Sequence, residues 1–166
     1  LHPANTLSLH DALPICIDLN KESIEITRLS LWLSTANKQK PLATLNDNII
    51  CRDSIMFDYN DPSESNFSWN SKFSDVMSKG GFDIVLGNPP YIASGEMTKS
   101  MPQVRDFCRK HYSSAKGNWD MYIPFIEKGL KVLKTNGVMC YIVPNKFIGA
   151  NYSQELRIIL DRKSVV

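Results

Sequence analysis

The chain has 166 residues, 43% hydrophobic and 22% charged, with a formal charge of +2, which suits one globular domain with a real core and is too balanced to announce a nucleic-acid partner by itself. Cys16, Cys51, Cys108 and Cys140 form no CxxC pair, and His2, His10 and His111 are scattered, which argues against a disulfide framework or a metal site. No apolar run has membrane-spanning length and no signal-peptide pattern is present, so a cytoplasmic protein with reduced thiols is expected.

The chain opens on "LHPANTLSLHDALPI", which has neither helical nor strand periodicity. "SLHDALPI" and the closing "DRKSVV" resemble translated sequencing-adapter read-through. Residues 1–14 and 161–166 are therefore expected to be a non-native leader and tail, with 15–160 a partial domain from a larger protein.

From Ile15 the pattern is regular. "ICIDLN" reads as a short apolar strand ending in an acid. "KESIEITRLSLWLSTAN" follows as a helix, with apolar residues at 24, 26, 29, 31 and 33 and Ser23 placed to help start it. Pro41 disfavours helix just before itself and ends the segment. "NIICRDS" is a second strand that again leaves an acid, Asp53, at its end. Residues 58–72 are polar and turn-rich, a surface connection pinned by Phe67 and Trp69. "FSDVMSKGG" is a short glycine-ended helix and "FDIVLG" a third strand. The segment 91–118 reads as irregular and basic, with Lys99, Arg105, Arg109, Lys110 and Lys116 against Glu96 and Asp106. "WDMYIPFIEKGLKVLKTNG" is an amphipathic helix with Pro124 in its first turns and Asn-Gly as its stop. "VMCYIVP" is a fourth strand and "SQELRIIL" a last helix.

Nearly all-apolar strands alternating with helices signify an α/β fold with a mostly parallel sheet buried on both faces. In such sheets ligands bind outside the C-terminal ends of the strands. Three strands here end in polar residues, Asp18, Asp53 and Asn88, and that convergence marks a candidate site. A strand-end acid such as Asp18 can accept from both hydroxyls of a ribose, or serve only as a turn or helix-start residue. Asp53 can accept from the exocyclic amine of an adenine, with the same bland alternative.

Asn88, Pro89, Pro90 and Tyr91 are more specific. Two prolines remove two backbone donors, so the loop presents acceptors. The Asn88 oxygen and the Pro89 carbonyl can both face one NH₂ group. A ring-conjugated amine is a poor nucleophile because its lone pair is delocalised, and two acceptors on its hydrogens favour the tetrahedral form that frees the pair. Positioning rather than a strong base then supplies most of the rate. Tyr91 offers a flat face for the ring that carries the amine, a stack worth about 1–3 kcal/mol. The alternative is a rigid turn with Tyr91 packed at the core rim. In the basic segment, Arg105, Arg109 and Lys110 can contact phosphates, or form a solvated face.

"FDIVLGNPPY" resembles the catalytic motif of S-adenosylmethionine-dependent methyltransferases that act on amino groups. Over roughly residues 15–160 the chain is similar to the adenine-N6 DNA methyltransferases of bacterial restriction–modification systems, including type II enzymes and the large fused restriction–methylation polypeptides. "ICIDLN", "NIICRDSI", "FSWNSKFSDVMSKGGFDIVLGNPPYI" and "NWDMYIPFIEKGLKVLKTNGVMCYIVPNKF" carry the likeness. It implies a Rossmann-like fold, S-adenosyl-L-methionine as cofactor and double-stranded DNA as partner. It also implies that Asp18 takes the cofactor ribose, Leu19 lies against its adenine, and Asp53 accepts from the adenine amine with Ser54 beside it. Pro90 and Phe125 would wall that adenine, although Phe125 serves equally as a core residue of its helix. Asn88, Pro89 and Tyr91 would hold a target adenine flipped from the duplex.

Three parts of the family pattern are not found. The glycine-rich first motif should precede Ile15, the second aromatic that sandwiches the flipped base should follow Leu160, and a target-recognition domain should lie in the same polypeptide or a specificity subunit. A fused or cognate restriction endonuclease is a further expected partner. A piece like this one is expected to bind the cofactor weakly or not at all. The competing readings are a methyltransferase for the glutamine amide of release factors, which uses the same loop, and a nucleic-acid-binding remnant without catalysis.

Overall fold

Short apolar runs build two pairs of parallel strands, one in each of two units, Leu1–Phe57 and Asp58–Val166. The computed structural model describes residues 14–35, 45–56 and 68–164. The parallel pairing and the alternation with helices make the chain an α/β protein, as the sequence pattern implies.

In the first unit β1 (Cys16–Asp18) pairs with β2 (Ile49–Cys51), Ile17 opposite Ile50 and Asp18 opposite Cys51. A parallel pair needs a crossover, and α1 (Lys21–Thr35) provides it. The helix starts on Asn20 rather than on Ser23. The Asn20 side-chain oxygen accepts from the Ser23 N–H at 3.0 Å, because a cap must stand before the first turn and Ser23 is already inside it. Ile24, Leu45 and Ile49 are buried together, with Cys16, Leu31 and Cys51 packed against them. Arg28 donates to the Ile49 carbonyl at 2.6 Å, fastening the helix to β2. Ile26, Leu29 and Leu33 lie on another stripe of α1 and are exposed. Most of the expected leader, the stop at Pro41 and the anchor Phe67 lie outside the described residues.

In the second unit α2 (Trp69–Lys72) begins with a reciprocal cap: Ser68 Oγ accepts from the Ser71 N–H, and Ser71 Oγ from the Ser68 N–H. After α3 (Ser74–Met77) the chain passes through Gly80 and Gly81, both at positive φ. A Cβ at Gly81 would meet the Val132 carbonyl oxygen at 2.3 Å, so only glycine fits this entry into β3 (Phe82–Gly87). Trp69, Phe73 and Phe82 form an aromatic cluster with centroids 5.7 to 6.1 Å apart, giving Trp69 the anchoring role its composition suggests.

The segment read as irregular instead holds two helices, α4 (Ser94–Ser100) and α5 (Pro102–His111). Pro102 stands in the first turn of α5, where its fixed φ suits the helix, and Arg109, Lys110 and His111 sit in the last turn, where cations oppose the helix dipole. Met97 and Cys108 are the fully buried residues of these two helices, too sparse a stripe to show as a period.

α6 (Tyr122–Val132) is buried along almost its whole length and packs on β4 (Leu133–Tyr141), which is parallel to β3. The strand starts earlier than the Asn-Gly stop implies. The pairing jumps from Phe82 with Leu133 to Ile84 with Val138, so residues 134–137 stand opposite Asp83 alone. Asn136 takes φ 62° there, so the turn is real but lies inside the strand as a bulge. Lys134 donates to Asp83 across it. Ile84, Leu86 and Val138 are exposed, so the β3–β4 pair is covered on one face within this unit rather than on both. Two 3₁₀ turns, Asn145–Ile148 and Asn151–Ser153, lead into α7 (Gln154–Ser164), which continues past residue 161, where a tail was expected.

Candidate active site

At the C-terminal edge of β1–β2, the register brings Asp18, Leu19, Asp53 and Ser54 to one end of the strands. Asp18 Oδ1 accepts from the Asn20 N–H at 2.7 Å, and Asp53 Oδ1 accepts from the N–H groups of Ile55 at 2.8 Å and Met56 at 3.3 Å. Each acid therefore makes the local turn that its type favours. Among the described residues no protein donor reaches the second carboxylate oxygen of either, and each remains an acceptor for a ligand. Leu19 is exposed beside them, and its carbonyl accepts from the Cys51 thiol.

At the C-terminal edge of β3–β4 the strand delivers Asn88, Pro89, Pro90 and Tyr91. Gly87 is forced: a Cβ there would lie 2.8 Å from the Tyr141 ring on the neighbouring strand. Asn88 is exposed, Pro89 buried and Pro90 half-buried, and Tyr91 is 52% exposed. The Tyr91 hydroxyl lies 2.7 Å from Asn88 Oδ1 and 2.7 Å from the Ile142 carbonyl. The hydroxyl has one proton to donate, so it bonds one of these two oxygens at a time; it holds the Asn88 side chain in place and leaves a lone pair on Oδ1 for a ligand. With two prolines supplying no N–H, the loop offers acceptors.

The loop is held from behind by residues that the sequence reading did not single out. Met121 N–H donates to the Ile92 carbonyl at 2.9 Å. Asp120, buried, accepts at Oδ1 from the Ser94 N–H at 3.3 Å. At Oδ2 it accepts from Lys146 Nζ at 2.5 Å and the Tyr152 hydroxyl at 3.2 Å. Tyr152 and Tyr122 hydroxyls are 3.0 Å apart, and the Tyr122 ring meets that of Tyr91 edge-on, centroids 6.4 Å apart. Burial, the Tyr152 hydroxyl and the Asp120 charge all push the Tyr122 phenol well above its ordinary range, so it stays protonated. The hydrogen bond to Asp120 raises the Lys146 ammonium likewise. An aspartate just before a helix is commonplace in sequence, and only its long-range partners distinguish this one.

The remaining candidates divide. Arg105 turns inward: it donates to Ser94 Oγ at 2.7 Å and the Gly117 carbonyl at 3.3 Å, with its guanidinium 5.4 Å from the Trp119 ring centre. Arg109 and Lys110 are exposed in the last turn of α5. Phe125 is half-buried on a helix whose other residues from Tyr122 to Leu130 are buried. On α6, Glu127 is buried and caps the 112–114 turn, accepting from Ser113 and Ser114 N–H groups at 3.2 and 2.7 Å while paired with Lys131 at 2.8 Å. Burial pushes its carboxyl up, but Lys131 and Ser114 outweigh that and hold it below the ordinary range. Among the described residues no cluster of His, Cys, Asp or Glu could hold a metal ion, and no helix is long and apolar enough to cross a membrane.

Known proteins of one family resemble this chain. The chain is 38% identical over 76 residues to the type II restriction enzyme and methyltransferase RM.Eco57I of Escherichia coli, covering 46% of this chain and 8% of that protein. It is 34% identical over 86 residues to the type II methyltransferase M.TthHB8I of Thermus thermophilus, covering 49% and 20%. The type II methyltransferase M.BstVI of Geobacillus stearothermophilus matches at 32% over 76 residues, covering 46% and 13%. The matched stretch thus spans a fifth or less of each relative's length. Residues 15–165 match the Eco57I restriction-modification methylase family from the first strand through the last helix, and the chain belongs to that family.

Proposed function

We propose that this chain forms part of the catalytic core of an S-adenosylmethionine-dependent DNA adenine-N6 methyltransferase of the restriction–modification type. The observation that carries the reading is Asn88 Oδ1, 2.7 Å from a Tyr91 hydroxyl that also lies 2.7 Å from the Ile142 carbonyl, at a strand end where two prolines supply no N–H. Asn88 Oδ1 and the Pro89 carbonyl would accept the two hydrogens of a target amine, and the Tyr91 ring would stack on its base. With S-adenosylmethionine bound, the amine nitrogen would bond the methyl carbon as the carbon–sulfur bond breaks, and its surplus proton would pass to water. Double-stranded DNA is the proposed partner, with a recognition domain and a restriction endonuclease in the same polypeptide or alongside it.

The residues at the β1–β2 edge suit the cofactor. Asp18 and Asp53 each keep one carboxylate oxygen beyond their turns, matching a ribose diol and an adenine amine, and exposed Leu19 suits an adenine face. When bound, S-adenosylmethionine supplies a sulfonium-activated methyl group. The residues of this chain bind and orient the two reactants, and no general base is assigned.

The test is transfer of labelled methyl by the intact polypeptide that carries this chain, with duplex DNA and release-factor protein as competing acceptors. The expected product is N6-methyladenine, and Asn88→Ala should lower the rate by about 10²–10³-fold while cofactor affinity holds. Label on a glutamine amide would move the assignment to the protein-methylating class. Cofactor binding with transfer to neither would make the chain a binding module.

A further inference from the structure

Asp120 is a buried carboxylate in the turn before α6, and it joins two segments that flank Tyr91. On one side it accepts from Ser94 N–H, three residues beyond Tyr91 at the loop's exit. On the other it pairs with Lys146, which follows the strand end whose Ile142 carbonyl takes the Tyr91 hydroxyl. A third route runs through Tyr152 and Tyr122 to the edge of the Tyr91 ring. A turn that needed only a cap for Ser94 would be served by a neutral amide. Burying a charge is unfavourable unless it is well paired, and this one draws in a lysine that is itself 57% exposed. What the charge adds over an amide is a fixed distance between the two flanks.

We propose that Asp120 is a positioning residue for the transfer step, holding Tyr91 in place from both sides by binding Ser94 and Lys146. This rests on the reading of residues 88–91 as the catalytic loop. Asp120 touches neither the methyl group nor the base, and it acts through the placement of Asn88 and Tyr91. Misplacement of a reacting geometry by an ångström lowers rate by about a hundredfold, so the effect belongs in kcat rather than in KM.

The experiment compares Asp120→Ala, Asp120→Asn, Lys146→Met and the Asn/Met double variant in the intact polypeptide. Methyl transfer to duplex DNA is measured together with hydrogen exchange at the Ser94 and Met121 amides. Asp120→Ala should lose about a hundredfold in kcat with KM for DNA changed less than about threefold, and both amides should exchange faster. Asp120→Asn keeps an acceptor for Ser94 and should recover about tenfold of that loss. The double variant should be no slower than Asp120→Asn alone, because the charge pair acts as one unit. Wild-type kcat in Asp120→Asn and Lys146→Met, a loss confined to KM, or additive effects in the double variant would overturn the proposal. If Asp120→Ala does not fold, the other two single variants carry the same test. If the wild type transfers no methyl to DNA, the functional reading falls, and unchanged exchange at Ser94 and Met121 in Asp120→Asn and Lys146→Met would separately overturn the clamp.

Discussion

The two strand edges that carry the proposed site residues are supported in opposite ways. At the β1–β2 edge, Asp18 and Asp53 are held by N–H groups two and three residues along the chain. At the β3–β4 edge, Tyr91 reaches Ile142 across 51 positions and Ser94 reaches Asp120 across 26. An acid that accepts from a flexible diol needs only a strand end and a turn. An amide and an aromatic ring that must face one amine in fixed relation need partners from other elements, because a proline-rich loop supplies few hydrogen bonds of its own. On the proposed roles, binding and positioning draw on different ranges of sequence separation.

That contrast predicts different kinetic signatures. Asp18→Asn and Asp53→Asn keep the oxygen that makes each turn and replace the outward oxygen with an N–H donor. Each should weaken S-adenosylmethionine binding about ten- to a hundredfold, the loss of one or two hydrogen bonds to a charged group, with the melting temperature unchanged. Asn88→Ala should do the reverse, losing rate and keeping cofactor. Retained affinity in both aspartate variants would reduce the first edge to turn chemistry and break the comparison.

A smaller effect is expected behind the second edge, where Glu127 joins the 112–114 turn to α6. Glu127→Gln keeps one acceptor and loses the charge shared with Lys131, and should destabilise the fold by about 1–2 kcal/mol at neutral pH. Because the folded carboxyl sits below its ordinary value, its contribution is complete above the unfolded value of about 4.3 and is lost as pH falls through the folded one. Melting temperatures between pH 6 and pH 3 should fall more steeply for the wild type than for the variant. Parallel acid profiles would mean that Glu127 gains nothing from its partners.

The same division governs what could be read in advance. The strands of the fold are legible because apolar runs end in Asp18, Asp53 and Asn88, and the loop is legible because two adjacent prolines after an asparagine are chemically unusual. α4 and α5 were not, since Met97 and Cys108 alone do not make a helical stripe. The start of β4 was hidden because Asn136 and Gly137 signal a stop, and here they make a bulge that a strand can absorb. Asp120, Lys146 and Tyr152 were missed for a deeper reason: each is ordinary locally and acquires its meaning from a partner in another element.

Arg105 sharpens this point against its neighbours on α5. Arg105, Arg109 and Lys110 read alike in sequence, as candidates for phosphate contact, but their surroundings differ. Arg105 is tied to Ser94, Gly117 and Trp119, whereas Arg109 and Lys110 face solvent. Arg109→Ala and Lys110→Ala should each flatten the salt dependence of DNA affinity, by about 0.9 in the slope of log K against log salt, and leave the melting temperature alone. Arg105→Ala should lower the melting temperature, because it removes bonds at the loop exit and packing on Trp119, and leave the slope as it was. An equal change of slope in all three would mean that the Arg105 guanidinium leaves Ser94 when DNA binds. The loop exit would then be coupled to the backbone contact, and the second edge would be set by its substrate as well as by its own fold.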